Sequence, residues 1–124
     1  MSIMPLRIPA GYAITYNKFY DIDPIIDERD KDRLSNSYYF TEDILQIHTM
    51  VVIDGNWVVP EKEKFIIDLG WYPECTSDGD YKLVVVDDHW NEIRSLRSRD
   101  RLKIKDTLET WLKEIVDQKL DGFK

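Results

Sequence analysis

Residues Phe65 to Asp88 read FIIDLGWYPECTSDGDYKLVVVDD, and this stretch decides the fold. Apolar side chains occupy every second position of its first part, at Phe65, Ile67, Leu69 and Trp71. That period is typical of a β-strand with one buried face. The run from Ser77 to Asp80 has the composition of a turn, and YKLVVVDD after it has the β-branched composition of a central strand. The two predicted strands are joined too closely for a parallel pair, so we expect them to be antiparallel.

The same alternation occurs twice upstream. One predicted strand lies between Gly11 and Asp21, and a second runs from Leu45 to Ile53. Asp54-Gly55 then suits a tight hairpin turn, because both positions tolerate positive φ, and Asn56 to Val59 is the predicted returning strand. Helix-length crossovers between these strands are absent from the pattern. The sequence therefore predicts an antiparallel meander rather than a parallel, doubly wound sheet.

The C-terminal part of the chain changes to a helical period. Its apolar stripe consists of Ile104, Leu108, Trp111, Leu112 and Ile115. We expect an amphipathic helix from about Asp100 to about Leu120, capped by Ser98 or Asp100 and followed by Gly122. The predicted fold class is α+β, with an antiparallel β-sheet of about four to six strands packed against this helix. Residues 1–124 are expected to form a single domain.

Two further features bear on packing and partners. Residues 94–105, RSLRSRDRLKIK, are strongly basic, and we interpret them as a solvated connector leading into the helix. The chain as a whole is acidic, with a formal net charge of −7, which argues against binding to nucleic acid. Of the four tryptophans, Trp57, Trp71 and Trp111 are predicted to be in the core, and Trp90 is predicted to be exposed.

The negative charge is concentrated in residues 21–32, DIDPIIDERDKD. This segment contains Pro24 and little periodicity, so it is predicted to be a surface loop, with Ile25 and Ile26 attaching it to the body. Like charges collected in one segment repel one another and attract a basic partner. Aromatic rings beside carboxylates are common in protein-binding surfaces. The predicted partner-binding residues are Asp21, Asp23, Asp27, Glu28, Asp30, Asp32, Tyr38, Tyr39, Glu74, Asp78 and Asp80.

No residue pattern predicts catalysis or a bound metal. The two histidines and Cys75 lack the spacing of a zinc site, and we expect no metal and no cofactor.

The single cysteine fits a reducing compartment. With no secretory signal or membrane-spanning run in the pattern, we expect a cytoplasmic protein that binds no membrane. Two alternatives to partner binding remain open, namely a small hydrolase that uses two carboxylates and a non-catalytic adaptor subunit.

Several segments together resemble a known group of proteins. They are IPAGYAITYNKFYDIDP, YYFTEDILQI, FIIDLGWYPE and the ETWL of the closing helix. This order is similar to that of small immunity proteins from bacterial polymorphic-toxin systems, including those of contact-dependent growth inhibition. The resemblance implies a non-enzymatic cytoplasmic protein that binds the C-terminal domain of one cognate toxin. Many such toxins are basic nucleases, which would suit an acidic inhibitor. The sequence leaves the toxin's activity, the blocked site and the oligomeric state open.

Overall fold

The computed structural model describes residues 2–117. The strands of this part are β1 (Tyr12–Asn17), β2 (Leu45–Thr49), β3 (Val51–Ile53), β4 (Asn56–Val58), β5 (Phe65–Tyr72), β6 (Asp80–Asp87) and β7 (Glu92–Ser98). A helix, α1 (Arg101–Val116), follows β7, and a short 3-10 turn covers Ser37–Tyr39. The five longer strands form one antiparallel sheet in the order β1-β2-β5-β6-β7. The predicted α+β class, with an antiparallel sheet and a packed C-terminal helix, is confirmed.

One face of the sheet is covered by α1. The buried side chains of β5 and β6 on this face are those of Ile67, Leu69, Trp71, Tyr81, Leu83 and Val85. Opposite them lie the five buried side chains of α1, which are the predicted stripe. The other face of the sheet carries no helix among residues 2–117. The main core is therefore a layer between sheet and helix, as expected for this fold class, and a small separate cluster of Ile66, Val84 and Val86 is buried on the other face.

The start of α1 is fixed by Asp100. Its Oδ1 accepts hydrogen bonds from the backbone N–H groups of Leu102, at 2.9 Å, and Lys103, at 3.3 Å. These donors have no partner inside the helix, so the cap stabilises the first turn. Of the two predicted caps, Asp100 is the one used. The predicted continuation of the helix to Leu120 and Gly122 lies outside the described residues.

The prediction of one strand from Leu45 to Ile53 is wrong, because the chain leaves the large sheet at Met50. Residues 51–58 instead form a separate two-stranded ribbon of β3 and β4, inserted between β2 and β5. The ribbon projects its apolar side chains into solvent. Trp57 is 55% exposed, so its predicted place in the core is also wrong.

The interpretation of residues 94–105 as a solvated connector is wrong for the first half of that segment. Residues 92–98 form β7, which pairs with β6. The Arg94 side chain lies on the helix side of the sheet, and its Nη1 is 3.3 Å from Oε2 of Glu114 on α1. Residues 94–98 of the basic run thus lie in an edge strand, and the charge of Arg94 is offset by Glu114.

Candidate functional site

The acidic segment is an ordered loop with a shape fixed by its backbone. Asp27 N–H donates to the Arg33 carbonyl at 2.9 Å, and Ser35 N–H donates to the Ile25 carbonyl at 2.7 Å. The loop after β5 adds a third contact, since Ser77 N–H donates to the Asp32 carbonyl at 3.0 Å. These bonds satisfy backbone groups that a loose loop would leave to water. The segment therefore presents its side chains from a defined scaffold.

Leu34 is the apolar anchor of this segment. It is 2% exposed and belongs to the main core. Ile25 and Ile26, by contrast, are 58% and 51% exposed, so the prediction that they attach the loop to the body is wrong. Two large aliphatic side chains in solvent, next to Asp27 and Glu28, form an apolar spot within an acidic surface.

Two of the six acids in the segment are engaged by the helix. Arg101, the first residue of α1, donates through Nε to Asp21 Oδ1 at 2.9 Å and through Nη1 to Asp23 Oδ1 at 2.6 Å. These two bonds raise the pKa of Arg101 above its ordinary value, with the bond to Asp21 as the largest cause. Asp21 and Asp23 thus hold the loop against α1, and Arg101 offsets one of their two negative charges.

The other four acids of the segment face solvent or local backbone. Asp27 accepts the N–H of Arg29 at 2.8 Å, and Asp30 accepts the N–H of Asp32 at 3.2 Å. Glu28, Asp30 and Asp32 are exposed, and Asp27 is half-buried. Within residues 2–117, no ion pair engages any of the four carboxylates. These four carboxylates are free of ion pairs in the described part of the chain, although Arg29, Lys31 and Arg33 of the same loop offset three of their four charges at longer range.

Tyr38 and Tyr39 lie beside this loop, as the sequence order indicated. Asn36 makes the connection, because its Nδ2 donates to the Asp23 carbonyl at 2.9 Å and its Oδ1 accepts the Ile25 N–H at 2.9 Å. The Tyr38 side chain is 67% exposed and packs edge-on against Tyr39, with ring centroids 5.0 Å apart. The structure brings an exposed aromatic ring next to the acidic loop.

The three remaining predicted residues divide between two surfaces. Glu74 and Asp78 are exposed in the loop after β5, which bonds to the acidic segment through Ser77. Asp80 lies on β6 and forms an ion pair with Arg97, whose Nη2 is 2.7 Å from Oδ1. We define the acidic surface as Ile25, Ile26, Asp27, Glu28, Asp30, Asp32 and Tyr38, with Glu74 and Asp78 at its margin.

A second group of residues was not predicted. Asp68 lies on the uncovered face of β5, beside a shallow cavity of about 370 Å³ that Asp43, Gln46 and Tyr16 also line. The pKa of Asp68 is raised to about 6. Burial is the largest cause, and the negative charge of Asp43 is the second. The signal in the sequence was a single acid inside the apolar run FIIDLGW. Such a carboxyl can exchange a proton near neutral pH.

Across residues 2–117, no group of three or more His, Cys, Asp and Glu side chains is arranged to hold a metal ion. None of the helices found there has the length and apolar character needed to cross a lipid bilayer. Comparison of the chain with protein-family models, curated proteins and solved structures found no match.

Proposed function

We propose that this protein is a cytoplasmic immunity protein, which binds the C-terminal domain of a cognate toxin and blocks it. The observation that carries the proposal is the acidic surface. It is an ordered loop that presents unpaired carboxylates around two exposed isoleucines. The resemblance of the sequence to immunity proteins supports the same function.

The carboxylates supply long-range attraction. A net charge of −7, with four unpaired acids in one loop, favours fast encounter with a basic protein at low ionic strength. On contact, carboxylates such as Glu28 and Asp30 accept charge-assisted hydrogen bonds from Arg or Lys. In a basic nuclease, those cations line the groove that receives phosphate groups. Inhibition by occupying that groove requires no chemistry from the inhibitor.

The apolar residues supply the lasting contact. Ile25, Ile26 and Tyr38 are each more than half exposed. Burying such side chains in a desolvated pocket contributes much of the binding energy in many protein interfaces, whereas exposed charge pairs contribute little. The acidic surface thus combines a steering element with an anchor, as an efficient inhibitor requires.

The test is co-expression with the C-terminal domain of a large secreted protein encoded beside this gene, followed by growth measurement and co-purification. The charge variant is Glu28→Gln, Asp30→Asn and Asp32→Asn together. Its matched control removes the same charge elsewhere, with Asp54→Asn, Glu61→Gln and Asp106→Asn. We expect the charge variant to associate more slowly and with a weaker salt dependence than the control. Equal rates for the two variants would remove the acidic surface from the interface.

The anchor is tested separately. Ile25→Ser with Ile26→Ser should leave the association rate nearly unchanged and increase the dissociation rate by about tenfold or more. An increase in growth inhibition in cells that carry the toxin should accompany the faster dissociation. A toxin domain that neither co-purifies with the wild-type protein nor loses toxicity in its presence would contradict the proposed function.

A second candidate function rests on Asp68 and Asp43. A carboxyl with a pKa of about 6 beside a second carboxyl, at a cavity, is the arrangement expected of a small acid-base hydrolase. Hydrolysis of chromogenic esters and glycosides by the purified protein, abolished by Asp68→Asn, would favour this function. Toxin neutralisation that survives Asp68→Asn would favour the first.

A further inference from the structure

The sheet face opposite α1 carries a groove that runs across the strands. The strand register places four side chains in one row on this face, in the order Tyr16, Gln46, Asp68 and Val84. Asp68 lines a cavity of about 370 Å³ towards β1 and another of about 360 Å³ towards the turn after β6. The two cavities meet at this carboxyl and form one groove, and each has the size of a small-ligand site.

Both bases that line the groove are already matched by acids. Lys82 Nζ is 3.5 Å from Oε2 of Glu92. The Arg97 guanidinium donates to Oδ1 of Asp80 through Nε, at 2.9 Å, and through Nη2, at 2.7 Å. Neither base is left over to balance another carboxylate or to attract an anion.

The groove also contains two carboxyl groups without such a match. Asp68 and Asp43 line the same cavity, and within the described residues no ion pair engages either side chain. The hydrogen bonds that Asp68 accepts come from neutral groups, which are the Gln46 side chain and the Leu69 backbone. The β1 side of the groove therefore has an excess of negative charge.

Tyr72, which also lines the groove, lies in the field of these acids. The pKa of its hydroxyl is raised, with burial as the largest cause. The charges of Asp68, Glu42 and Asp43 raise this pKa further, and they are opposed by the charge of Arg97. Three carboxylates against one base favour a cation in the groove over an anion.

The turn after β6 holds the backbone that carries Trp90. Trp90 has a φ of 62°, which a bulky residue rarely adopts, and its N–H donates to the Asp87 carbonyl at 3.0 Å. Oδ1 of Asp87 accepts the N–H groups of His89 and Asn91, each at 2.9 Å. The Trp90 ring is 56% exposed and lines the groove together with Val84. The turn thus presents an apolar ring at the end of the groove opposite β1.

We propose that this groove binds a small organic cation, in which an ammonium or guanidinium group is attached to an apolar chain or ring. The cationic group accepts no competition from Lys82 or Arg97 and donates charge-assisted hydrogen bonds to Asp68 and Asp43. The apolar part packs against Trp90. Aromatic faces attract organic cations, whereas a bare metal ion gains nothing from the apolar half of the groove.

The groove continues on both sides of Asp68, so a free small molecule fills it better than a single side chain of a protein does. The residues that line it belong to the sheet and its connections, and none of them is part of the acidic surface. The proposal is therefore independent of the immunity function. It also requires no hydrolysis, so binding without turnover would support it and leave the second candidate function without support.

The test is NMR titration of the ¹⁵N-labelled full chain with phenethylamine and with butylguanidine, at about pH 7.5. We expect saturable shifts of the Trp90 indole signal and the Asp68 amide signal with at least one of these cations. The control ligand is 2-phenylethanol, which replaces the ammonium group of phenethylamine by a neutral hydroxyl. It should bind about tenfold or more weakly, because it cannot balance the carboxylates. No saturation by either cation at about 20 mM would overturn the proposal.

The protein variants separate the two halves of the groove. Asp68→Asn keeps the shape of the side chain, removes its charge and should weaken cation binding by about tenfold or more. Asp54→Asn, which removes a charge at the exposed tip of the ribbon, is the matched control and should leave binding unchanged. Trp90→Ala should weaken the binding of phenethylamine by about threefold or more.

Asp43→Asn, at an exposed position, serves as a second charge variant if Asp68→Asn alters the signals of the core. Equal affinities of the wild type and both charge variants for the cations would overturn the proposal. Equal affinities of the wild type for phenethylamine and 2-phenylethanol would do the same, because the charge of the ligand would then contribute nothing.

Discussion

Arg101 and Asp23 are joined by a hydrogen-bonded ion pair of 2.6 Å, although 78 positions separate them in the sequence. The same guanidinium group bonds Asp21. One side chain at the start of α1 therefore holds both ends of the turn that leads into the acidic loop. The carboxylates that it engages are structural, and those further along the loop are left for a partner.

Replacing Arg101 by Gln should lower the free energy of unfolding by only about 0.2–1 kcal/mol, because Asp21 and Asp23 are exposed and water screens the ion pairs. The loss should shrink further at about 1 M NaCl. Urea denaturation at both salt concentrations measures it. Lys103→Gln, an exposed cation in the same turn, is the control. A loss several times larger, with no dependence on salt, would show that Arg101 acts through packing instead.

Replacing Asp100 by Ala should lower the free energy of unfolding by about 0.5–2 kcal/mol, since it removes the acceptor for two N–H groups of α1. Denaturant titration followed by circular dichroism measures the change. Asp106→Ala removes an exposed acid from the same helix and should change stability by less. If the two variants lose the same amount, the cap contributes little.

Gly70 lies in β5 where the backbone of residue 42 crosses the sheet. A Cβ at this position would collide with the Glu42 carbonyl oxygen and would lie 2.8 Å from a ring carbon of Tyr72. Gly70→Ala should therefore destabilise the fold by about 1–3 kcal/mol, because the collision involves backbone that cannot rotate away. Thermal unfolding measures the loss. Ser95→Ala, at an exposed position of β7, should be nearly neutral, and an equally neutral Gly70→Ala would contradict the close approach.

Asp68 makes the stability of the fold depend on pH. Its pKa in the folded chain is about 6, above that of an exposed aspartate, so the folded state holds the proton more tightly than the unfolded state does. Between about pH 4 and pH 6, this residue therefore contributes stability that is lost as the pH rises.

Asp68→Asn removes the titrating group and should stabilise the protein at pH 7.5 by about 1–2 kcal/mol, after discounting for the exposed part of the carboxyl. At about pH 4, where the native carboxyl is protonated, the gain should vanish. Urea denaturation at the two pH values measures the difference. Asp54→Asn, at the exposed tip of the ribbon, should show no such trend. A gain for Asp68→Asn that is equal at both pH values would exclude the titration of Asp68 as its cause.

The central strands and the helix could be predicted because their pattern reflects one buried face. β5 has apolar residues at every second position from Phe65 to Trp71, β6 is a run of β-branched residues, and the stripe of α1 keeps its period over five residues. β7 was missed because the register shifts between Val85 and Val86, where a bulge lies. Its half-buried residues Ile93 and Leu96 are therefore three positions apart, which breaks the alternation.

The ribbon shows a different limit of the sequence pattern. Val51, Ile53 and Trp57 have the composition of a buried hairpin, but the packing of residues 2–117 leaves each of them more than a third exposed. The sequence pattern indicates which side chains are apolar. It does not indicate what covers them in the folded protein. The acidic segment was predicted as a surface loop from Pro24 and its lack of periodicity, whereas its anchor, Leu34, lies outside the charged run.

The backbone bonds of the acidic loop have a consequence for how the protein evolves. Its outline depends on carbonyl and N–H groups such as those of Ile25, Asp32 and Ser77, with Leu34 as the fixed apolar point. Most side chains between positions 25 and 32 can therefore be exchanged while the loop keeps its path. If this loop binds a toxin as proposed, point mutations there would change its recognition with little penalty to folding.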